Sequence, residues 1–180
     1  MRTAAAGLAL VFTLAGCAAS VRRVLPETVR TVAIARFQNT TDQEPLPALF
    51  DEDLRRSFRL DGRLTVVEDP SAADAVLEGT IGGYTRQPSR FAATNVVQEY
   101  AVRVAVELTL TARGSRETLW IDRGAKPGAP PGPATRRLET DTHFVVVPAS
   151  GLPVETEEDA QRRLVHDLAE AAVVRVLEGW

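Results

Sequence analysis

The feature that most constrains the fold of this chain is the alternation of large apolar side chains with small or polar ones over residues 100–111. Successive side chains of a β-strand point to opposite faces of a sheet. The pattern therefore predicts one long strand with one covered face and one face that is at least partly solvated. Residues 113–116, Arg-Gly-Ser-Arg, predict a hairpin turn, and residues 118–121 start the return strand.

Two segments have helical periodicity instead. From Leu46 to Phe58, apolar side chains recur at helical spacing, and Asp61-Gly62 ends the segment. The second predicted helix begins with Thr156 as its N-cap, continues into three acidic residues, and ends at residues 178–180. Each helix has one apolar stripe to bury against another layer.

Shorter β-branched and apolar runs predict three more strands, at residues 29–37, 64–67 and 75–84. Residues 124–133 contain three glycines and four prolines, which predicts a long loop. The order of strand, helix, strands with a hairpin, and helix predicts an α+β domain with two helices packed on a mixed sheet.

The chain begins with the pattern of an export signal. Met1-Arg2-Thr3 is a short positive start, and residues 4–15 are apolar apart from Gly7 and Thr13. This run is several residues shorter than the roughly 20 that a transmembrane helix needs. It therefore predicts a signal peptide that is removed on export.

The end of this run, Leu14-Ala15-Gly16-Cys17, resembles the lipobox of bacterial lipoproteins. In a lipobox the cysteine sulfur receives a diacylglyceryl group, and cleavage makes the cysteine the acylated N-terminus. We expect residues 1–16 to be the signal peptide, Cys17 the lipidation site, residues 17–28 a lipidated N-terminus and tether, and residues 29–180 one domain. Acyl chains buried at about 0.8 kcal/mol per methylene would hold such a chain on a membrane.

Ala18 follows the cysteine, where an Asp would favour retention in the inner membrane, so the outer membrane is expected. Two alternatives stay open. One is a buried N-terminal helix with a chance cysteine, and the other is an ordinary secretory signal cleaved at an Ala-x-Ala site.

Composition argues against several other functions. A formal net charge of −3 lacks the basic surplus of a nucleic-acid binder. The single cysteine cannot form an internal disulfide or a thiolate cluster, and the only histidines, His143 and His166, lack metal-ligand spacing. We expect no enzymatic activity, no metal and no cofactor apart from the covalent lipid.

Several short pieces of the mature chain, taken in their order along the sequence, together resemble the LPS-assembly lipoprotein (LptE) family. Each piece is short, but they follow one another in the right order over nearly the whole mature chain. The pieces are residues 25–27 and 29–41, Asp61-Gly62-Arg63-Leu64, residues 73–81 with Tyr84 and Pro88 behind them, Glu99-Tyr100, Leu119-Trp120 and Glu178-Gly179-Trp180.

This resemblance implies two helices on a mixed, mostly antiparallel four-stranded sheet. It also implies a lipid-anchored protein on the periplasmic face of the outer membrane. Members of the family sit inside the β-barrel of the LPS translocon protein LptD, help that barrel fold, and engage lipopolysaccharide on its way to the cell surface. The Pro/Gly-rich residues 124–133 depart from the plainer connection expected in the family.

Binding of lipid A phosphates requires basic groups, because Arg and Lys form charge-assisted hydrogen bonds with phosphate. The candidates by charge are Arg86, Arg90, Lys126, Arg136 and Arg137. The alternative for each is an ordinary solvated charge.

A second interpretation comes from a different class. Residues 32–41 are also similar to the first strand of curli-secretion-type and penicillin-binding-protein-activator lipoproteins. Secretion-pore members need additional amphipathic hairpins to line a barrel, and this chain offers one convincing long hairpin.

Lipidation predicts the outcome of one substitution. Cys17→Ala removes the sulfur that accepts the diacylglyceryl group, so the chain should incorporate no fatty-acid analogue when it is expressed with its signal. Metabolic labelling followed by gel fluorescence measures this. Label and membrane association that persist in the variant would contradict the lipidation of Cys17.

Overall fold

The computed structural model describes residues 25–115, 117–120, 135–146 and 154–179. The predicted signal peptide, Cys17, Lys126 and the loop of residues 124–133 lie outside these residues. The described chain forms two helices and six strands in the following order: β1 (Thr31–Ile34), β2 (Gln38–Asn39), α1 (Leu46–Asp61), β3 (Thr65–Val67), β4 (Ala75–Phe91), β5 (Val97–Ala112), β6 (Thr135–Val145) and α2 (Glu157–Glu178).

The predicted α+β class with two helices on a mixed sheet is confirmed, but the number of strands is larger than four. The sheet has six strands in the order β3-β1-β4-β5-β6, and β2 pairs with β4 outside this path. β1 is parallel to both β3 and β4, whereas β5 is antiparallel to β4 and to β6. The predicted strand of residues 29–37 is shorter in the structure, because the chain leaves β1 after Ile34. β2 begins at Gln38, just past the predicted end, and pairs with β4.

The main hairpin of the sheet is formed by β4 and β5, whose pairing runs from Ala75 with Ala112 to Phe91 with Val97. β4 continues past the predicted end at residue 84. The register shifts between Gly82 and Thr85, where Gly83 has a φ of +68°, so the predicted bend at these glycines is a β-bulge.

Of the predicted return strand of residues 118–121, the described residues 118–120 form only a short contact with β5, and the strand that returns along β5 is β6, later in the chain. Thr118 forms an isolated bridge with Thr111, and the Leu119 N–H donates to the Leu110 carbonyl over 2.9 Å. Thr135, the first residue of β6, pairs with Thr109 of β5. Residues on both sides of the Pro/Gly-rich segment therefore lie along one edge of β5.

The core lies between one face of the sheet and the two helices. On β5 the predicted alternation is confirmed, since Val102, Val106 and Leu108 are fully buried on this inner face. Phe50 of α1 meets Phe37 edge-on, with ring centroids 4.9 Å apart. Each large apolar side chain buried in this way contributes about 1.5–3 kcal/mol. We call the uncovered side of the sheet the outer face.

The termini of the helices agree with the sequence signals. Thr156 is the N-cap of α2 and forms a capping box with Asp159, whose pKa is lowered by the hydrogen bond from the Thr156 side chain. Gly62 ends α1 in a left-handed conformation with a φ of +73°, and its N–H donates to the Phe58 carbonyl.

Candidate functional site

Four of the five candidate arginines and lysines lie in the described residues, and they form two separate groups. Arg90 pairs in register with Glu99, and Arg137 pairs with Glu107, which lies eight residues further along β5. At about 3.3 Å per residue these positions are about 26 Å apart. The structure therefore does not bring all candidates into one binding site.

Arg136 and Arg137 are neighbours on β6, so their side chains point to opposite faces of the sheet. Arg137 lies on the outer face, 3.7 Å from Glu107 and 3.2 Å from Glu139. Arg136 pairs in register with Leu108 and is half-buried on the inner face. These two side chains cannot contact one ligand on the same face.

The outer face of β4, β5 and β6 is polar. Arg103 pairs with Glu139 at 3.3 Å, and Arg137 extends this cross-strand network to Glu107. The small residues Ala105 and Gly82 are register partners between these charged positions. Exposed ion pairs of this kind add at most about 1 kcal/mol each, so their main effect is to make the surface wettable.

The hairpin extends past the bulge as an exposed arm. Residues 85–91 of β4 are all exposed. At the tip, the Ala92 N–H donates to the Val96 carbonyl over 2.8 Å, and Asn95 adopts a φ of 61°. Phe91 and Val96 are 54% and 51% exposed there. An ordered turn thus presents two apolar side chains to its surroundings.

One of the candidate arginines lies next to this tip. Arg90 forms an ion pair of 3.2 Å with Glu99, and the Ser89 hydroxyl donates to the same carboxylate over 3.2 Å. We call the surface of Arg90, Phe91 and Val96 the hairpin tip. It places a guanidinium group and two apolar side chains on one turn, where a register shift between Arg90 and Phe91 interrupts the regular alternation of faces that separates Arg136 from Arg137.

Arg86 has a different role, because it joins the hairpin to α2. Its guanidinium pairs with Glu157 and lies 5.1 Å from the centre of the Tyr100 ring. Tyr100 in turn stacks on Phe144 at 5.6 Å. The cation is thereby fixed between a carboxylate and an aromatic face.

Tyr84 completes this connection. Its hydroxyl donates to Glu157 Oε1 over 2.7 Å and accepts from Gln161 Nε2 over 3.0 Å, and that amide also donates to Gln43 Oε1 over 2.8 Å. Burial raises the pKa of Tyr84 to about 12, and the Glu157 carboxylate adds to the shift. Tyr84 is therefore a neutral donor at physiological pH. Together with Arg86, these residues form the hairpin clamp, beside a cleft of about 410 Å³.

Sequence reasoning named Arg86 and Arg90 as candidates and did not single out Glu157, Phe91 and Val96, which the structure places beside them. The two apolar residues flank the polar turn Ala-Ala-Thr-Asn, which is the signal of a hairpin with an exposed apolar tip. Glu157 was interpreted only as a charge that suits the start of a helix. Its contacts with β4 depend on tertiary packing that a local pattern does not contain.

The histidines lie apart from this surface. His166 of α2 is 4.0 Å from Asp53 and 3.5 Å from Glu170, and His143 is exposed on β6. Across the described ranges, no three His, Cys, Asp or Glu side chains are grouped to hold a metal ion. Nor is any helix in that part of the chain long and apolar enough to cross a membrane.

Comparison with known proteins gives one family match and several structural ones. A family model described as LptE, lipopolysaccharide-assembly, matches residues 29–176. No curated protein sequence matches.

Among solved structures, the hypothetical protein CT253 from Chlamydia trachomatis is 12% identical with a TM-score of 0.50, covering 82% of this chain and 95% of that one. The uncharacterized lipoprotein B from Nitrosomonas europaea is 16% identical with a TM-score of 0.49, covering 94% of this chain and 89% of that one. The rare lipoprotein B from Shewanella oneidensis is 16% identical with a TM-score of 0.43, covering 82% and 90%. At these identities the likeness concerns the fold alone.

The hairpin clamp makes a prediction about stability. Tyr84→Phe removes a hydroxyl that bridges Glu157 and Gln161 and leaves both without this partner, so the free energy of unfolding should fall by about 1–3 kcal/mol. Urea unfolding followed by circular dichroism measures the change.

Tyr100→Phe is the matched control, since the Tyr100 ring stacks on Phe144 and its hydroxyl donates no hydrogen bond within the described residues. Its free energy of unfolding should change by less than about 0.5 kcal/mol. Equal losses in the two variants would contradict the clamp.

Proposed function

This chain belongs to the LptE lipopolysaccharide-assembly family, and on that premise we propose that it is an outer-membrane lipoprotein that plugs and helps assemble an LptD-like β-barrel. In this role it helps to deliver lipopolysaccharide to the outer leaflet. The observation that carries the proposal is the family match over residues 29–176, which spans all six strands and most of α2.

The polar outer face supports the role of a plug. A protein inside a barrel lumen needs a surface that is compatible with polar side chains and water rather than with lipid. The network of Arg103, Glu139, Arg137 and Glu107 provides such a surface along β5 and β6. Because its charges alternate in sign, the network would also suit a polar barrel wall without creating a large net electrostatic field.

The hairpin tip is our proposed contact with lipopolysaccharide. This lipid is amphipathic, with phosphates next to acyl chains, and the tip places Arg90 next to Phe91 and Val96. The exposed Arg90 can exchange its partner Glu99 for a phosphate, because carboxylate and phosphate both accept charge-assisted hydrogen bonds. Arg86 is better explained as part of the hairpin clamp.

The remaining assignments are part of the same proposal. Cys17 carries the covalent lipid that holds the domain on the periplasmic face of the outer membrane, and no other cofactor is required. Arg136, Arg137 and Lys126 remain predicted contacts with lipopolysaccharide, and they are not part of the hairpin tip. The proposed role is binding and assembly, with no reaction catalysed by the chain itself.

The proposed lipid contact can be tested by substitution at the tip. Arg90→Glu combined with Phe91→Ser removes the cation and one apolar side chain, so retention of the full chain on immobilised lipopolysaccharide should fall about tenfold or more. A pull-down over a range of lipopolysaccharide densities measures it.

Arg162→Glu is the matched control, because Arg162 is another exposed arginine with a carboxylate partner, Glu158. This variant should be retained like the unmodified chain. Loss of retention in both variants would indicate a general charge effect, and unchanged retention in the tip variant would remove the hairpin tip from the site.

A further inference from the structure

The end of the domain opposite the hairpin tip has a second distinctive surface. The chain enters the fold at Leu25, which is buried against the core, and the Val29 N–H donates to the Pro26 carbonyl over 2.9 Å. The Arg30 and Thr31 N–H groups both donate to Asp74 over 3.0 Å. The entry point of the chain is therefore fixed to the sheet.

Several elements end or begin at this same place. β1 and β4 start here side by side, and β5 ends next to the start of β4, where Ala112 pairs with Ala75. α1 also ends here, since β3 begins shortly after Gly62 and the Thr65 N–H donates to the Arg30 carbonyl. We call the surface formed by Arg30, Arg59 and Leu60 the tether-side surface.

Leu60 is the most exposed large apolar side chain in the described part of the protein, at 78%. It lies in the last turn of α1, whose buried side chains include Leu54, Ser57 and Phe58. At 100° per residue, Leu60 points away from that buried stripe. One exposed leucine is ordinary in a soluble domain, so its meaning depends on what surrounds it.

Two of the cations at this end of the domain lack a partner in the part of the chain that the structure describes. The side chains of Arg30 and Arg59 form no ion pair or hydrogen bond with any described residue. The nearby acids are already engaged, because Asp61 pairs with Arg63 at 2.7 Å and Asp74 accepts the backbone N–H groups of β1. Two guanidinium groups are thus available for an external anion.

The length of the chain before Leu25 limits where this surface can be. Leu25 lies eight positions after Cys17, and such a segment spans at most about 28 Å when fully extended. The hairpin tip lies at the far end of the 17 residues of β4, which is about 55 Å at 3.3 Å per residue. An anchor on Cys17 therefore holds the entry point of the chain within about 28 Å of the bilayer, which is about half the distance from that end of β4 to the hairpin tip.

We propose that the tether-side surface docks on the phospholipid headgroups of the membrane that holds the anchor, with Leu60 entering the interface and Arg30 and Arg59 against lipid phosphates. The docking rests on the proposed acylation of Cys17 and does not require lipopolysaccharide or a barrel. An arginine near an anionic membrane surface contributes about a fivefold preference for the bound state. The exposed Glu27, on the entry turn, opposes this attraction.

The test uses the acylated full chain in vesicles of phosphatidylethanolamine and phosphatidylglycerol. Cys17 is the only cysteine, so Leu60→Cys supplies a single free thiol for an environment-sensitive fluorophore. Val154→Cys is the matched control, because Val154 is also an exposed apolar residue and belongs to neither the tether-side surface nor the hairpin tip. A lipid-borne nitroxide should quench the probe at residue 60 several-fold more strongly than the probe at residue 154.

The charge contribution is measured in the same labelled protein. Arg59→Gln should lower the ratio of quenched to unquenched probe at residue 60 about fivefold, whereas Arg162→Gln on α2 should leave the ratio unchanged. Equal quenching at residues 60 and 154 in vesicle-bound protein would overturn the docking alone. Failure of the protein to float with vesicles would overturn the acylation and the docking together.

Discussion

The pairing of β4 with β5 is the constraint on which the rest of the structure depends. Its register from Ala75 with Ala112 to Phe91 with Val97 places one side of both strands under the helices. β1 then adds to the free edge of β4, and β6 adds to the free edge of β5. Because the buried face is continuous, a slip of one residue would turn every core side chain of a strand towards solvent.

The same hairpin gives the molecule two ends with different surfaces. Near its open end the chain enters at Leu25, next to Arg30 of the tether-side surface. At the closed end, Phe91 and Val96 are exposed, and the contacts of Tyr84 and Arg86 with Glu157 hold the arm to α2. An assembly protein of the LptE family with this shape can be anchored at one end and present a lipid-binding surface at the other.

The sequence predicted the parts of the fold that local patterns encode. The alternation over residues 100–111, the stripes of both helices and the caps at Gly62 and Thr156 all correspond to observed elements. The second half of β4 was missed because it is exposed on both faces and contains Pro88. Its sequence therefore lacks the alternation of apolar and polar residues that predicts a strand. β6 was missed for a similar reason, as its outer face is charged and Phe144 is its only fully buried side chain. Charge named Arg86 and Arg90 alike as candidate contacts, and charge alone could not show that Arg86 belongs to the hairpin clamp.

The most direct measurement of the central claim is co-purification of the full, acylated chain from detergent-solubilised outer membrane, with bound proteins identified by mass spectrometry. If the chain is the plug of an LptD-like translocon, one large β-barrel protein should be recovered with it in an equal molar amount. Recovery of a penicillin-binding protein, or of rings of this chain alone, would contradict the account and favour the cell-wall-activator or the secretion-pore class.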